Sequence, residues 1–295
     1  MSLEITPAEV DIVPPHECKP LAEWKLYVMA AACGTSAANI YYNSPLLDEF
    51  SRYFHVTESQ AGLIATAAQV GYGVGLLFFV PLGDLLERRK IVLALTYACM
   101  ALLVATARAP NLTILIVLQG LVGIAAMSAQ LLIPLAVDLT PAEKRGHTVG
   151  LLLAGLLCGL LMVRVAAGFI GDYLGWCAMF GIAAGIMLTT GIVLQFSLPH
   201  RRPSQAMSYG RLMQSLLHLV RDQPVLRRSS IISGLSFGAF MIFWTALSFL
   251  MREHFHRGAT ESGLFGIVGL AVRWRHRSRG NCPTAAGRHS PSPSR

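Results

Sequence analysis

Charge is what this sequence lacks. Only 14% of its 295 residues are Asp, Glu, Lys or Arg, against about 25% in an ordinary soluble domain. A deficit of that size, with 54% hydrophobic residues, excludes a soluble core and points to a polytopic membrane protein. Metal and thiol motifs are missing too. The six cysteines include no CxxC pair and no Cys/His cluster at zinc-finger spacing. Cys33, Cys99, Cys158 and Cys177 fall in or at the edge of apolar runs and read as small buried hydrophobes. His16 and Cys18, close together in a polar tail, make no metal site. No HExxH and no group of acids or histidines occurs within the apolar runs, so no enzyme and no cofactor are expected. The net charge of +8 invites a nucleic-acid reading. Its distribution opposes one, because the cations sit in short loops and in residues 273–295 rather than on one amphipathic face.

Long apolar runs are what is there. A spanning helix needs about 20 apolar residues. Seven runs meet that length or approach it: Trp24 to Leu47, Ala61 to Leu82, Ile91 to Ala107, Leu112 to Val137, Thr148 to Ile170, Trp176 to Leu198 and Ile231 to Met251. An eighth starts near Ser262 and stops after Val272. These are helices, since lipid offers no partner to an open backbone and barrel strands are shorter and alternate. Residues 1–23 carry Glu4, Glu9 and Asp11 and no apolar stretch, so they read as a polar cytoplasmic tail and not a signal peptide.

Lys and Arg fix the expected orientation. Lys19, Lys25, Arg88, Arg89, Lys90, Lys144, Arg145, Arg201, Arg202, Arg211, Arg221, Arg227 and Arg228 fall on one side. Arg52, Arg108, Arg252 and Arg257 fall on the other. The first side, with the N-terminus, is therefore expected in the cytoplasm, and the protein in a bacterial inner membrane. The organisation follows: six helices over 24–198, a basic and partly amphipathic cytoplasmic linker over 199–230, and the start of a second half over 231–272. A six-helix block before a long linker and further helices is the layout of a two-halved transporter. After Val272 the composition changes abruptly to Arg, Gly, Pro and Ser, with no acid after Glu261. Residues 273–295 read as a disordered basic tail translated out of frame, and the chain as truncated and inactive, the product of a pseudogene. DNA downstream of codon 272 that encodes more apolar spans in another frame would bear this out.

The sharply charged turn Pro81-Leu82-Gly83-Asp84-Leu85-Leu86-Glu87-Arg88-Arg89-Lys90 carries a family resemblance. It resembles the loop between helices two and three of the major facilitator superfamily, which typically reads Gly-x-Leu-Ala/Gly-Asp-Arg-x-Gly-Arg-Arg/Lys. Leu82, Gly83, Asp84, Arg88 and Arg89 match, while Val80, Leu85 and Glu87 depart from it. Residues 38–47 and 69–75 look like the first two helices of drug- and sugar-efflux members. Gln119-Gly120, Pro141 to Gly146, and Leu161 to Gly168 with Asp172 and Gly175-Trp176 look like later landmarks. The resemblance covers about residues 24 to 272. It implies an all-α fold, namely the six-helix N-terminal half of such a transporter plus one to two helices of the second. It further implies export of a small molecule by alternating access, with the proton gradient as driving force. In the family this loop latches the halves together, a role that would fall here to Asp84, Arg88, Arg89, Lys90 and Arg145, with Arg88, Arg89 and Arg145 as partners of Asp84. The latch also needs a late helix of the second half, which lies beyond this chain.

Arg164 is the sharpest single residue. A cation near mid-membrane costs at least about 2.5–3.5 kcal/mol and should face a cavity, a partner or backbone carbonyls. It reads as a substrate or proton-relay residue, or else as one that packs against neighbouring carbonyls. Tyr41, Tyr42 and Asn43 cover much of a helical turn, so at least one should face the interior. Gln69, Tyr72 and Gln130 are similar polar points. Each is either cavity lining or interhelical glue worth about 0.6 kcal/mol. No Asp or Glu lies in the central part of the first six runs, so no proton-carrying acid is visible. Gly71, Gly73, Gly75, Gly150, Gly155 and Gly159 are spaced for close helix approach rather than for phosphate. The competing reading is a membrane scaffold or receptor-like half. Neither substrate nor oligomeric state is set by the sequence.

Overall fold

The structure is a computed structural model, and it describes residues 22–199 and 209–255. The expected eighth run, the tail over 273–295 and almost all of the N-terminal tail lie outside the described residues. The described chain is helical throughout: α1 (Glu23–Ala38), α2 (Asn43–Phe54), α3 (Glu58–Leu85), α4 (Arg88–Thr106), α5 (Leu112–Ala126), α6 (Ser128–Asp138), a 3₁₀ turn (Ala142–Lys144), α7 (Arg145–Ser197), α8 (Tyr209–Asp222) and α9 (Pro224–Phe255). Among the described residues, five stretches are long and apolar enough to cross a membrane: Glu58–Leu85, Arg88–Thr106, Leu112–Asp138, Ala142–Gly171 and Tyr173–Ser197. The protein is an integral multi-pass membrane protein.

The first apolar run is not one helix. Asn39 Nδ2 donates to the carbonyls of Thr35 at 2.9 Å and Ser36 at 3.1 Å. Such a side chain competes for the backbone and ends α1. After a turn over 39–42 the chain resumes as α2, which continues past the expected end at Leu47 to Phe54. Other ends follow local chemistry. Thr57 and Gln60 form a reciprocal capping box at the start of α3. Asn111 Oδ1 accepts from Ile114 N at 2.9 Å to start α5. The fifth and sixth expected runs meet inside α7 at Gly175, whose φ of 80° breaks helical geometry. A residue with a Cβ is strained at that angle, whereas glycine is not. Glu49 Oε1 accepts from Trp176 N at 2.9 Å and so satisfies the first free amide of the second arm. The seventh run lies inside α9, which begins earlier, at Pro224, while α8 occupies part of the stretch read as linker.

Helices α1 to α7 form one bundle, and α8 touches α3. α1 packs on α7 and α6, α3 on α5, and α4 on α5 and α7. Two crossings are close enough to exclude side chains. A Cβ on Gly71 would lie 1.9 Å from the Gly120 carbonyl oxygen, and one on Gly159 would lie 2.3 Å from the Gly34 carbonyl oxygen. Without an aqueous hydrophobic effect between them, helices in lipid gain by such backbone approach. Gly73 and Gly150 meet nothing within 4 Å and do not take part. Apolar side chains gather in two main clusters. One holds Met29, Leu132 and Leu194, at the end that carries Asp84. The other holds Phe50, Trp176 and Phe180, at the opposite end.

Candidate functional site

The polar residues fall into three groups. The first lies at the charged turn. Arg88 donates from Nη2 to Asp84 Oδ1 at 2.7 Å, from Nη1 to Asp138 Oδ2 at 2.6 Å and from Nε to the Gly83 carbonyl at 3.1 Å. One guanidinium thus joins the ends of α3, α4 and α6. The fork geometry of arginine suits this, and lysine could not reproduce it. The expected partner set of Asp84 needs correction. Of Arg88, Arg89 and Arg145, Arg88 alone meets it. Arg89 Nη2 donates to the Gln195 carbonyl at 2.5 Å, and Arg145 Nε donates to the Thr140 carbonyl at 3.4 Å. Lys90 pairs with Glu87 at 3.2 Å. Arg88, Arg89 and Lys90 meet different partners, because three consecutive side chains on a helical turn point in different directions.

The second group lies deeper. The turn over 39–42 aims the Tyr41 ring at Arg164, which sits on the first arm of α7 with only 9% of its surface exposed. The guanidinium carbon lies 5.5 Å from the ring centroid, within cation–π range. Gln69 lies beside the Tyr41 hydroxyl. One turn along α3, the Tyr72 hydroxyl accepts from Gln130 Nε2 of α6 at 2.9 Å. Tyr41 and Tyr72 both pack against Ile40, Ala68 and Ala126. Tyr41, Gln69, Tyr72, Gln130 and Arg164 therefore form one band drawn from four parts of the bundle. Its only formal charge is the arginine. The half-buried phenols and amides around it offer both donors and acceptors, which can orient a small polar molecule but carry no nucleophile–base pair.

Tyr42 and Asn43 do not join this band. Tyr42 is 3% exposed and meets the Phe180 ring edge-on at 6.4 Å, in the aromatic cluster. Asn43 Nδ2 donates to Gln119 Oε1 at 3.0 Å, and Gln119 Nε2 donates to Thr106 Oγ1 at 3.4 Å, all buried. This third group ties α2, α5 and α4 together. The helix break sends Tyr41 toward Arg164 and the next two residues into the core, so of the three Asn43 serves as interhelical glue and Tyr41 alone joins the band. Among the described residues, no group of three His, Cys, Asp or Glu could hold a metal ion.

A helical bundle of this kind, with a charged turn at one end and a polar band buried among its helices, defines a polytopic membrane protein. The sequence matches the Major Facilitator Superfamily over residues 29–274, and the chain belongs to that family. It is 36% identical to "Uncharacterized transporter YgaY" of Escherichia coli O157:H7, over 81% of this chain and 60% of that protein. It is 35% identical to "Probable transporter SCO4007" of Streptomyces coelicolor, over 84% of this chain and 58% of that protein. The chain thus spans about three fifths of the length of these relatives. Among solved structures, the fold is similar to a bacterial homolog of the human lysosomal transporter Spinster, with a TM-score of 0.65 at 15% identity, covering 83% of this chain and 58% of the other. It is also similar to a D-xylose-proton symporter, with a TM-score of 0.60 at 17% identity, covering 86% and 69%. The bundle is the six-helix N-terminal half of that fold, followed by a helix of the second half.

Proposed function

We propose that this chain supplies one wall of a secondary active transporter that exports a small molecule by alternating access. The observation that carries the reading is the band around Arg164. A cation held at membrane depth is costly and marks a substrate or ion pathway, and here it lies beside Tyr41, Gln69, Tyr72 and Gln130. The substrate passes this band, and the arginine favours one that brings negative charge or strong acceptors. The spans described carry no central carboxylate, so a proton-coupling acid, where export is proton-driven, belongs to the other wall. The Asp84–Arg88–Asp138 network holds the cytoplasmic mouth, and the excess of Lys and Arg at that end keeps the N-terminus inside. A cavity between two halves needs both, so the activity is proposed for the protein that carries a second half beside this one.

The test is export from cells expressing such a two-halved protein, followed by profiling of metabolites released into the medium. Arg164→Ala should cut release of the exported compound by at least tenfold, with the protein still in the membrane. Unchanged release would remove Arg164 from the pathway.

A further inference from the structure

We propose that the groove between α1 and the second arm of α7 holds an acyl chain of an anionic phospholipid from the cytoplasmic leaflet, with the phosphate at Lys25. The groove has a volume of about 580 Å³ and is lined by Val28, Ala31 and Thr35 of α1 and by Gly185, Ile186 and Val193 of α7, among others. That volume is in the range of small-molecule sites, roughly 300–1,000 Å³. It exists because small side chains stand where large ones would close it.

Three observations select the occupant. First, Trp24, Val28, Ala31 and Thr35 recur at helical spacing on one stripe of α1. The groove therefore leads straight to Trp24, which is 55% exposed. Lys25 Nζ lies 5.7 Å from the centroid of that ring. A tryptophan and a lysine together are the residues that mark the membrane–water interface. Second, the depth fits. From Lys25 to Thr35 a helix rises about 15 Å, half of a hydrocarbon core of about 30 Å. Thr35 Oγ1 and Thr190 Oγ1, 3.3 Å apart, tie the two helices near that depth. The groove thus runs one leaflet deep from an interfacial mouth. Third, the mouth favours an anion. Lys25 is there, and α1 starts at Glu23 after the N-cap Ala22 with no side-chain cap on its first amides. The positive end of the helix dipole offsets Glu23, the one acid of that turn, and leaves the lysine as the cation of the mouth. A cation at the surface is worth about a fivefold preference for an anionic over a neutral lipid. This site lies on the opposite flank of α1 from the Arg164 band, and it does not depend on the transport reading.

The experiment is native mass spectrometry of the purified full chain in mild detergent, titrated with phosphatidylglycerol and with phosphatidylethanolamine of the same acyl chains. The wild type should retain a single phosphatidylglycerol, several-fold in preference to phosphatidylethanolamine. Lys25→Gln should bring the two lipids to equal retention. The double variant Ala31→Leu/Gly185→Leu should lose both, and it should fold, because Ala31 is exposed and a Cβ at Gly185 meets nothing within 4 Å. Equal retention of the two lipids by the wild type, or undiminished phosphatidylglycerol retention in the filled-groove variant, would overturn the proposal. So would a dimer that dissociates when the groove is filled, since that gives the face to a second copy of the chain.

Discussion

Arg88 Nη1 and Asp138 Oδ2 lie 2.6 Å apart although fifty positions separate them in the chain. The pair joins the first turn of α4 to the last residue of α6, and the same guanidinium holds Asp84 at the end of α3. Both carboxylate side chains are 53% exposed, whereas Arg88 is 20% exposed. Either pair alone is therefore worth little, about 0.2–1 kcal/mol, after solvent screening. Its value is positional: three helix ends meet on one planar group that stays charged at any working pH.

A double-mutant cycle measures this. Arg88→Ala and Asp138→Ala should each destabilise the protein in detergent, and the double variant should lose less than their sum. The coupling should be about 0.5–1 kcal/mol and should shrink at high salt, because exposed charges are screened. Denaturation midpoints of the four proteins at two salt concentrations decide it. Additive losses would mean that the contact does not couple α4 to α6.

The Asp84–Arg88 contact was legible in the sequence, because the two are four apart at a helix-breaking turn. Asp138 was not. Its place at the cytoplasmic end of the fourth run was countable, but which ends touch depends on packing that no local pattern records. The same limit shows in the polar band. Arg164 stood out by its cost in an apolar run, while the break at Asn39 that turns Tyr41 toward it came from a side chain competing for its own helix. The order of the apolar runs was plain in their lengths, but the number of helices was not. The division of the first run and the early start of α9 were not plain either, since hydrophobicity alone does not mark where a backbone hydrogen bond is lost.

Two glycines two residues apart should behave oppositely. Gly71→Ala places a methyl 1.9 Å from the Gly120 oxygen, so α3 and α5 must separate along the crossing. Overpacking costs about 1–3 kcal/mol, and the yield of folded protein should fall accordingly. Gly73→Ala meets nothing within 4 Å and should match the wild type or gain slightly from helix propensity. Size-exclusion profiles of detergent extracts separate the two cases. Equal behaviour would mean that the α3/α5 crossing is looser than the structure has it.

The junction inside α7 offers a paired test. Glu49→Ala leaves the Trp176 amide without the carboxylate it meets at 2.9 Å. A lost charged hydrogen bond of this kind costs about 1.5–3 kcal/mol. Gly175→Ala instead forces a Cβ into a φ of 80°, a strain of about 1–2 kcal/mol. Glu49→Gln keeps an acceptor oxygen and should recover much of the first loss. Thermal unfolding followed by Trp fluorescence reads the effect where it arises, since Trp176 sits in the aromatic cluster with Phe50 at 5.6 Å. A Glu49→Ala midpoint equal to that of the wild type would exclude the capping role.

The ring of Tyr41 and its hydroxyl do different things to Arg164, and substitution can separate them. Tyr41→Phe keeps the π face over the guanidinium and removes the hydroxyl that lies beside Gln69. That should cost at most about 0.6 kcal/mol, the usual worth of a hydrogen bond between membrane helices. Tyr41→Ala removes the face as well, and a desolvated cation–π contact is worth about 2 kcal/mol. The order of stability should therefore be wild type, then Tyr41→Phe, then Tyr41→Ala. In an Arg164→Gln background, with no cation to meet the ring, the gap between the two tyrosine variants should narrow to the loss of packing alone. If the gap stays the same in both backgrounds, the ring holds the bundle by its bulk, and the guanidinium owes its place to its other contacts.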